Sequence, residues 1–428
     1  MESTDNIIID WKAKNIAKIS NEFFNINDKI EEKKTRDKIE PWLTAIFQSD
    51  HLSLLIGSGF ITAVTSIAGS NSQGMERIVF EPYKNEIEKW ADKQAIVLER
   101  GKANFEDDLC TAMDLLKGLK IIEDEKTKDL ETDINGKLGD FIGSILKGEK
   151  DFIEKNNQSS INYLKSFLIS FASRTATRDR LNIFTTNYDR FIEYGCDLAG
   201  ILSLDRFIGK IKPELRTTRL ELDYHYNPPG IRGELRYVEG VVRLTKLHGS
   251  IDWCFEKRRN IQRLPIAFGA NKLDDEILKN PLDCAVIYPN SMKCLETAFY
   301  PYSELFRDFS SAICRPNSVV VTYGYGFGDS HINHILQDML AIPSTHLVII
   351  SYDESSNRIQ KFYEYNNKAQ ITLLIGNHFG DLKELVDNYL PKAAIDRITQ
   401  RMENILEKRG KQDDLELNKK DGKEKDDS

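Results

Sequence analysis

An amide and a carboxylate stand two residues apart in the segment FTTNYDR, which runs from Phe184 to Arg190. The apolar run that starts at Leu181 predicts a buried strand, so Asn187 and Asp189 follow directly on a strand end. A buried strand has no use for these polar side chains at its tip. Because open parallel sheets bind ligands beyond the carboxyl ends of their strands, the segment predicts a site at this position.

A Gly-Ser-Gly turn follows a second apolar run in LIGSGF, residues 55–60. Glycines there let the backbone approach a phosphate, and the start of a following helix supplies N–H donors and a positive dipole. Many strand–helix turns need glycine for geometry alone, and Thr62 stands where a GxGxxG fingerprint has its third glycine. The turn offers four residues to a phosphate: Gly57, Ser58, Gly59 and Phe60.

A histidine follows a third strand candidate in KLHGSIDW, residues 246–253. A lone histidine is more often structural than catalytic. His248, however, stands at the carboxyl end of a strand, where it could accept a proton near neutral pH.

A glycine-rich loop follows a fourth strand candidate in VTYGYGFGDSHINHIL, residues 321–336. Its glycines allow it to wrap closely around a flat ligand. Asp329 or Ser330 could cap the helix that begins near His331. Capping alone would explain Asp329, and an exposed first turn would explain His331 and His334, of which His331 is the better candidate for ligand contact. The residues expected at the ligand are Gly324, Gly326, Phe327, Asp329 and His331.

These turns need a common scaffold. Apolar strand candidates alternate with helical segments, which predicts an α/β fold with a doubly wound parallel sheet. In such a sheet the four polar turns converge on one edge and form a nucleotide crevice. The strand candidates are residues 52–57, 181–186, 241–247, 318–324, 346–352 and 371–376.

The remaining sequence suggests additions to this main domain, which we place at residues 51–70 and 161–390. Residues 1–50 look like an N-terminal helical segment. Apolar residues at three- and four-residue spacing predict a helical insertion at 71–160. A helix with one apolar face is expected at 391–409, docked on its own domain or on a partner. The charged residues 410–428 lack aromatics and predict a disordered tail.

Composition excludes several classes of protein. The 428 residues carry a net charge of −8, which argues against direct nucleic-acid binding by the whole surface. The apolar runs are too short to cross a bilayer, and the N-terminus has no signal-peptide pattern, so we expect a cytoplasmic protein. The six cysteines form no CxxC pair, so no zinc ribbon and no metal are expected.

The four turns together resemble the sirtuin-like (silent information regulator two) family, whose members bind NAD⁺ in a Rossmann-like domain. Residues 57–59 are similar to the family's Gly-Ala-Gly loop, residues 185–189 to its Thr-Gln-Asn-Ile-Asp segment, and residues 248–249 to its His-Gly. The chain looks most like bacterial antiphage members, above all the sirtuin-like subunit that works with the hexameric ATPase HerA. That similarity includes FTTNYD, KLHGS, IYP (Ile287–Pro289, with Lys293), LFRDF (Leu305–Phe309) and GFGDSHIN (Gly326–Asn333).

The resemblance implies an NAD⁺ glycohydrolase that cleaves NAD⁺ to nicotinamide and ADP-ribose and defends against phage by depleting NAD⁺. Nicotinamide leaves as a neutral ring, so the site needs no general acid, and the simplest nucleophile is water. Asn187 would hold this water or the nicotinamide ribose, and His248 would accept a proton. Asp189 would orient Asn187 or the sugar, or would only cap the following helix. Residues 57–60 would lie by the diphosphate, Thr186 beside Asn187, and residues 324–331 on the adenosine side.

The resemblance also implies self-association into a homo-oligomer and gating by a HerA-type ATPase partner, because an ungated NAD⁺ hydrolase would kill its host. The chain departs from the family in two places, of which the first argues against protein deacylation and the second concerns the phosphate contact. The zinc module that frames the acyl-peptide cleft of sirtuin deacylases is missing. Ile61 replaces a small hydroxyl residue, so phosphate contact passes to Ser58, Thr62 or backbone amides. A protein deacylase or ADP-ribosyltransferase, and a non-catalytic NAD⁺- or ADP-ribose-sensing scaffold, remain the alternatives.

Overall fold

The computed structural model of the chain describes eleven stretches of the sequence. They are residues 9–25, 29–70, 77–97, 103–175, 177–216, 223–226, 236–256, 260–270, 281, 284–286 and 300–392. The IYP segment with Lys293, the charged tail, and the predicted C-terminal helix beyond residue 392 lie outside these residues.

A nine-stranded sheet forms the centre of the fold, with strand order β2-β1-β16-β15-β14-β3-β4-β10-β5. The strands from β16 to β5 pair in parallel. Their bounds are β3 His51–Ile56, β4 Asn182–Thr185, β5 Leu202–Leu204, β10 Val241–Lys246, β14 Ser318–Tyr323, β15 His346–Ser351 and β16 Ile371–Gly376. Six of these seven match the predicted apolar runs, since Val, Ile and Leu fill strands that are buried on both faces.

Helices cover both faces of this sheet, so the fold is Rossmann-like and doubly wound. One core holds Leu54, Phe60, Phe167 and Val321, and the core on the opposite face holds Leu55, Phe184, Phe309 and Val320. The helices are α1 Lys29–Phe47, α2 Ser58–Ala68, α3 Lys84–Val97, α4 Phe105–Ile122, α5 Thr127–Lys155, α6 Gln158–Ala172, α7 Phe191–Ala199, α8 Tyr302–Ile313, α9 Ser330–Leu340, α10 Arg358–Tyr365, α11 Asn377–Gly380 and α12 Leu382–Asn388.

A hairpin at the sheet edge was missed by the sequence analysis. Residues 1–50 were expected to be helical, but β1 (Asn15–Ile19) and β2 (Glu22–Asn25) precede α1, and β1 pairs antiparallel with β16. The polar residues of β1 hide its strand character. Lys18 is buried there, and its Nζ donates to the carbonyl oxygens of Lys368 and Ile371.

A second, five-stranded sheet lies beside the first, with order β13-β11-β12-β7-β6. None of its strands was among those predicted from the sequence, and most of them are short. They are β6 Phe207–Ile208, β7 Glu214–Leu215, β11 Gly249–Glu256, β12 Asn260–Arg263 and β13 Cys284–Val286. A separate two-stranded ribbon pairs β8 (His225–Tyr226) with β9 (Arg236–Tyr237).

Helices α3, α4 and α5 lie in the region where the sequence predicts a helical insertion, and they share a core of their own. That core includes Leu109, Leu138 and Phe141, and also Tyr188 from the turn that carries Asn187 and Ile251 from β11, which begins next to His248. The α3–α5 helices therefore pack directly on the candidate site. Among the helices of the described ranges, none combines the length and apolar character needed to cross a bilayer.

Candidate active site

Four neighbouring strands end in one row at the carboxyl edge of the sheet. Tyr323 of β14 pairs with Ile56 of β3, Ile56 pairs with Thr185 of β4, and Thr185 pairs with Lys246 of β10. The four turns singled out by the sequence therefore leave the sheet side by side. Ser58, Asn187 and His248 each stand two residues beyond this row.

The glycines of the first and fourth turns bring their two backbones into contact. Gly57 N donates to the Tyr323 carbonyl and Gly59 N to the Gly324 carbonyl, both at 3.1 Å. A Cβ at Gly57 would lie 2.4 Å from Gly324 O, and one at Gly59 would lie 2.7 Å from Gly324 Cα. Gly324 itself has a φ of +62°, which favours glycine. The close approach of the two turns is thus enough to require these glycines, with or without a phosphate.

The start of α2 offers less backbone to a ligand than the sequence suggested. Gly59 N is bonded to Gly324, and Phe60 N donates to the Gly57 carbonyl at 3.1 Å. The Phe60 ring is fully buried in the core, 5.1 Å from the Phe167 ring. Ser58 is exposed at the first turn, which carries no acidic side chain, so its hydroxyl and the helix dipole face solvent.

Asn187 links the second turn to the first. Its side-chain Nδ2 donates to the Gly57 carbonyl at 3.0 Å, and its backbone N donates to Thr185 Oγ1 at 3.1 Å. The residue is only 5 % exposed, whereas Thr186 beside it is partly accessible. The amide group is therefore held in one orientation by the Gly57 turn.

His248 and Asp329 form a buried pair, which the sequence analysis did not foresee. His248 Nε2 lies 2.9 Å from Asp329 Oδ2, and the two residues are 4 % and 5 % exposed. Asp329 Oδ1 accepts from His331 N at 3.1 Å and Ile332 N at 3.4 Å, so Asp329 is also the expected N-cap of α9. An ionised Asp329 holds the imidazole proton on Nε2 and makes Nδ1 the acceptor nitrogen.

Asp189 faces the start of α7. Its Oδ1 accepts from Phe191 N at 3.1 Å, in agreement with the capping role weighed in the sequence analysis. Burial raises the pKa of Asp189 to about 7, and the positive charge of Lys246 opposes that shift. Lys246 Nζ donates to the Asp189 carbonyl and, at 3.0 Å, to Glu193 Oε1. Lys246 thus links the turn at Asp189 to helix α7.

The remaining predicted residues lie around the glycine-rich loop. Gly324, Gly326 and His331 are partly accessible. Phe327 is buried, has a φ of +52° and packs against Phe362 with ring centroids 4.8 Å apart, so its side chain belongs to the core. His334, expected to be structural, is exposed, and its Nδ1 lies 2.6 Å from the Ser330 carbonyl of its own helix.

Two aromatic rings lie near the His248 ring, and neither was a predicted site residue. The Tyr188 ring centroid lies 6.3 Å from that of His248, and the Phe306 centroid of α8 lies 6.5 Å from it on a further side. Phe306 also meets the His331 ring edge-on at 4.6 Å. The apolar surroundings of His248 strengthen its bond to Asp329.

Within the part of the chain that the structure describes, no group of three His, Cys, Asp or Glu side chains could hold a metal ion. Cys110 and Cys196 are buried there, and Cys254 and Cys314 are partly buried, all as free thiols.

The opposite, amino edge of the sheet also carries buried charge, around a depression lined by Arg174, Arg178 and Arg180. Arg180 pairs with Asp223 and donates to the carbonyls of Val238 and Tyr224 at 2.7 and 2.6 Å. Its guanidinium also lies 5.0 Å from the Tyr237 ring centroid. These bonds tie the β8–β9 ribbon to the start of β4.

The fold and the site together define a Rossmann-like domain whose polar residues gather at the nucleotide-binding edge of the sheet. Residues 181–372, under half of the chain, match the family model described as the SIR2-like domain. The matched range contains Asn187, His248 and Asp329, and SIR2-like domains use NAD⁺. The match supports a sirtuin-like protein of the NAD⁺-dependent enzyme class. A search of curated proteins found no match.

Proposed function

We propose that the protein hydrolyses NAD⁺ to nicotinamide and ADP-ribose. The observation that carries the proposal is the placement of Asn187 and His248, which both stand two residues beyond a paired position at the ends of adjacent strands. Adjacent parallel strands lie about 4.8 Å apart, so the two side chains flank one crevice. A protein that only bound NAD⁺ would need neither a histidine held by a carboxylate nor an oriented amide beside it.

In the proposed reaction, water adds to the anomeric carbon of the nicotinamide ribose while the bond to the pyridinium nitrogen breaks. The bonding electrons neutralise the ring, so only the proton of the attacking water needs an acceptor. His248 takes it on Nδ1, because Asp329 holds the other ring nitrogen as a donor. Asn187, held by the Gly57 carbonyl, orients the water or the ribose.

The residues at this edge suit a dinucleotide in two further ways. The exposed Ser58 hydroxyl and the start of α2 suit a diphosphate, since that helix turn has no acidic side chain. The partly accessible Gly324, Gly326 and His331 would line the adenosine side. Asp189 serves as a support for the turn, because its carboxylate accepts from Phe191 N and is buried.

The test is nicotinamide release from NAD⁺ by the wild-type protein and by Asn187→Ala and His248→Ala variants. We expect each variant to lose about 10²- to 10⁴-fold in turnover. His334→Ala is the matched control, because that exposed histidine bonds only within its own helix turn in the observed contacts and should leave turnover unchanged. Mass spectrometry should identify free ADP-ribose. O-acetyl-ADP-ribose from an acetyl-peptide would instead establish a deacylase, and binding without turnover would establish a sensing scaffold.

The resemblance to HerA-associated antiphage subunits supports a role in defence by NAD⁺ depletion, gated by assembly of a homo-oligomer with an ATPase partner. Turnover should rise when the protein is co-purified with a HerA-type ATPase encoded beside it. Equal turnover of the isolated protein and the complex would refute gating while leaving the hydrolase proposal intact.

A further inference from the structure

Arg190 ends the FTTNYDR segment and lies where three parts of the chain meet. Its Nε and Nη2 donate to the two carboxylate oxygens of Glu149 in α5, at 3.2 and 2.6 Å. Nη2 also donates to the Ala267 carbonyl at 3.0 Å, and Nη1 donates to the Ile266 carbonyl. Glu149 accepts in addition from Arg190 N at 3.1 Å and Gly269 N at 3.3 Å.

This ion pair is a poor choice if stability is its only purpose. Glu149 is fully buried and Arg190 is 7 % exposed, and burial raises the pKa of Glu149 although the Arg190 charge opposes the shift. The free-energy cost of removing both charges from water offsets their attraction. An apolar pair of similar volume would therefore stabilise the junction about equally well. The two-pronged arginine–carboxylate contact provides direction instead, because it fixes the plane of both groups.

Contacts alternate along the turn between elements that adjoin the central sheet and the α3–α5 helices. Asn187 bonds to the Gly57 carbonyl, and Asp189 bonds to the start of α7. Tyr188 packs instead against Phe141 of α5, with ring centroids 5.7 Å apart, and Arg190 bonds to Glu149 of the same helix. Helix α5 therefore contacts the turn on both sides of Asp189. Tyr188, which packs on this helix, also lies next to the His248 ring.

We propose that Arg190 is a positioning residue, through which helix α5 sets the geometry of Asn187 and His248. The inference rests on the proposed function, since it assigns Arg190 to the same site. Arg190 itself does not touch the reacting atoms. Its effect is to hold the turn that carries Asn187, so seating of α5 controls whether the site is assembled.

The test uses the full-length protein in its most active form and the variant Glu149→Gln, which keeps the size of the side chain and removes its charge. We expect kcat to fall about 10²-fold with KM little changed, because misplacement of about 1 Å costs that much. Amide hydrogen exchange of residues 186–191 should accelerate, while exchange in the distant strand β15 stays as in the wild type.

A second variant separates positioning from folding. Glu149→Leu combined with Arg190→Met replaces the pair by apolar side chains of similar volume and leaves no buried charge unpaired, and its Tm is measured beside its kcat. A low kcat and fast exchange at 186–191 in this variant would support positioning. Wild-type kcat and exchange would show that the pair is only structural and would overturn the proposal.

Asp108→Asn is the matched control, because Asp108 is fully buried and accepts from Arg77 Nη2 at 2.7 Å and Nε at 3.1 Å within the same group of helices. It should lower Tm and leave kcat and exchange at 186–191 unchanged. If the wild-type protein releases no nicotinamide under any condition, the proposed function fails, and exchange alone decides the inference. Unchanged exchange in both Glu149 variants would then overturn it.

Discussion

The buried polar groups at the two edges of the central sheet serve different purposes. At the amino edge, the Arg180 guanidinium donates hydrogen bonds to Asp223 and to backbone carbonyls. These bonds join the β8–β9 ribbon to β4. At the carboxyl edge, the buried His248–Asp329 pair and the Asn187 amide stand beside partly accessible glycines and an exposed serine. The buried charge of the amino edge therefore holds elements together, whereas the polar groups of the carboxyl edge lie where parallel strands direct their ends at a ligand.

The largest effect should come from Asp329→Asn at the carboxyl edge. Asparagine caps a helix as well as aspartate does, so α9 and the stability of the fold should be preserved. Its amide, however, donates to His248 Nε2 and moves the imidazole proton to Nδ1, which removes the acceptor. By comparison with the same change in other carboxylate–histidine pairs, NAD⁺ turnover should fall by up to about 10⁴-fold. Nicotinamide release at unchanged Tm is the measurement, and wild-type turnover would show that Asp329 is only a cap.

At the amino edge, Arg180→Ala should show the reverse pattern. It removes two hydrogen bonds to the carbonyls of Tyr224 and Val238 and leaves Asp223 with Arg243 as its remaining cation, which should cost about 1–3 kcal/mol in the free energy of unfolding. The remaining folded protein should retain its turnover per active site. Arg178→Ala is the control, because its pair with Asp50 is 40 % and 45 % exposed and should contribute about 0–1 kcal/mol. Urea unfolding compares the two, and equal losses would contradict the assigned difference in burial.

A pH dependence of stability is expected at Asp189. Its pKa of about 7 in the folded protein lies above the unfolded value of about 3.9, so the folded state binds the extra proton between these values. Stability from this group is therefore complete below about pH 4 and is lost as pH rises through 7, at up to about 1.4 kcal/mol per pH unit. Asp189→Asn keeps an acceptor for Phe191 N and cannot ionise. The difference between the urea midpoints of this variant and the wild type should therefore grow in favour of the variant from pH 5 to pH 7. A constant difference would contradict the raised pKa.

The strands of the central sheet could be predicted because their apolar runs are nearly continuous, as in SVVVTYG and ITLLIG. The β1–β2 hairpin could not, because Lys18 sits in a buried strand and is satisfied by carbonyls of distant residues. The second sheet escaped detection because strands such as β7 are two residues long and depend on their neighbours.

The site shows the same division. Residue types at strand ends predicted Asn187, His248 and Asp329 as candidates, since each stands just beyond an apolar run. Their hydrogen-bond partners could not be predicted from the sequence, because 81 positions separate His248 from Asp329 and 41 separate Glu149 from Arg190. Hydrogen bonds between such residues exist only once the sheet order has been set.

The doubly wound sheet and the polar turns at its carboxyl edge can therefore be predicted from local properties of the chain, namely apolar periodicity and glycine turns. Which atoms meet at that edge depends on the folded arrangement of the strands and helices. The order of the strands placed β14, β3, β4 and β10 side by side, made Asp329 the partner of His248, and laid helix α5 against the turn after Asn187. These contacts depend on strand register and loop packing, which are properties of the whole folded chain.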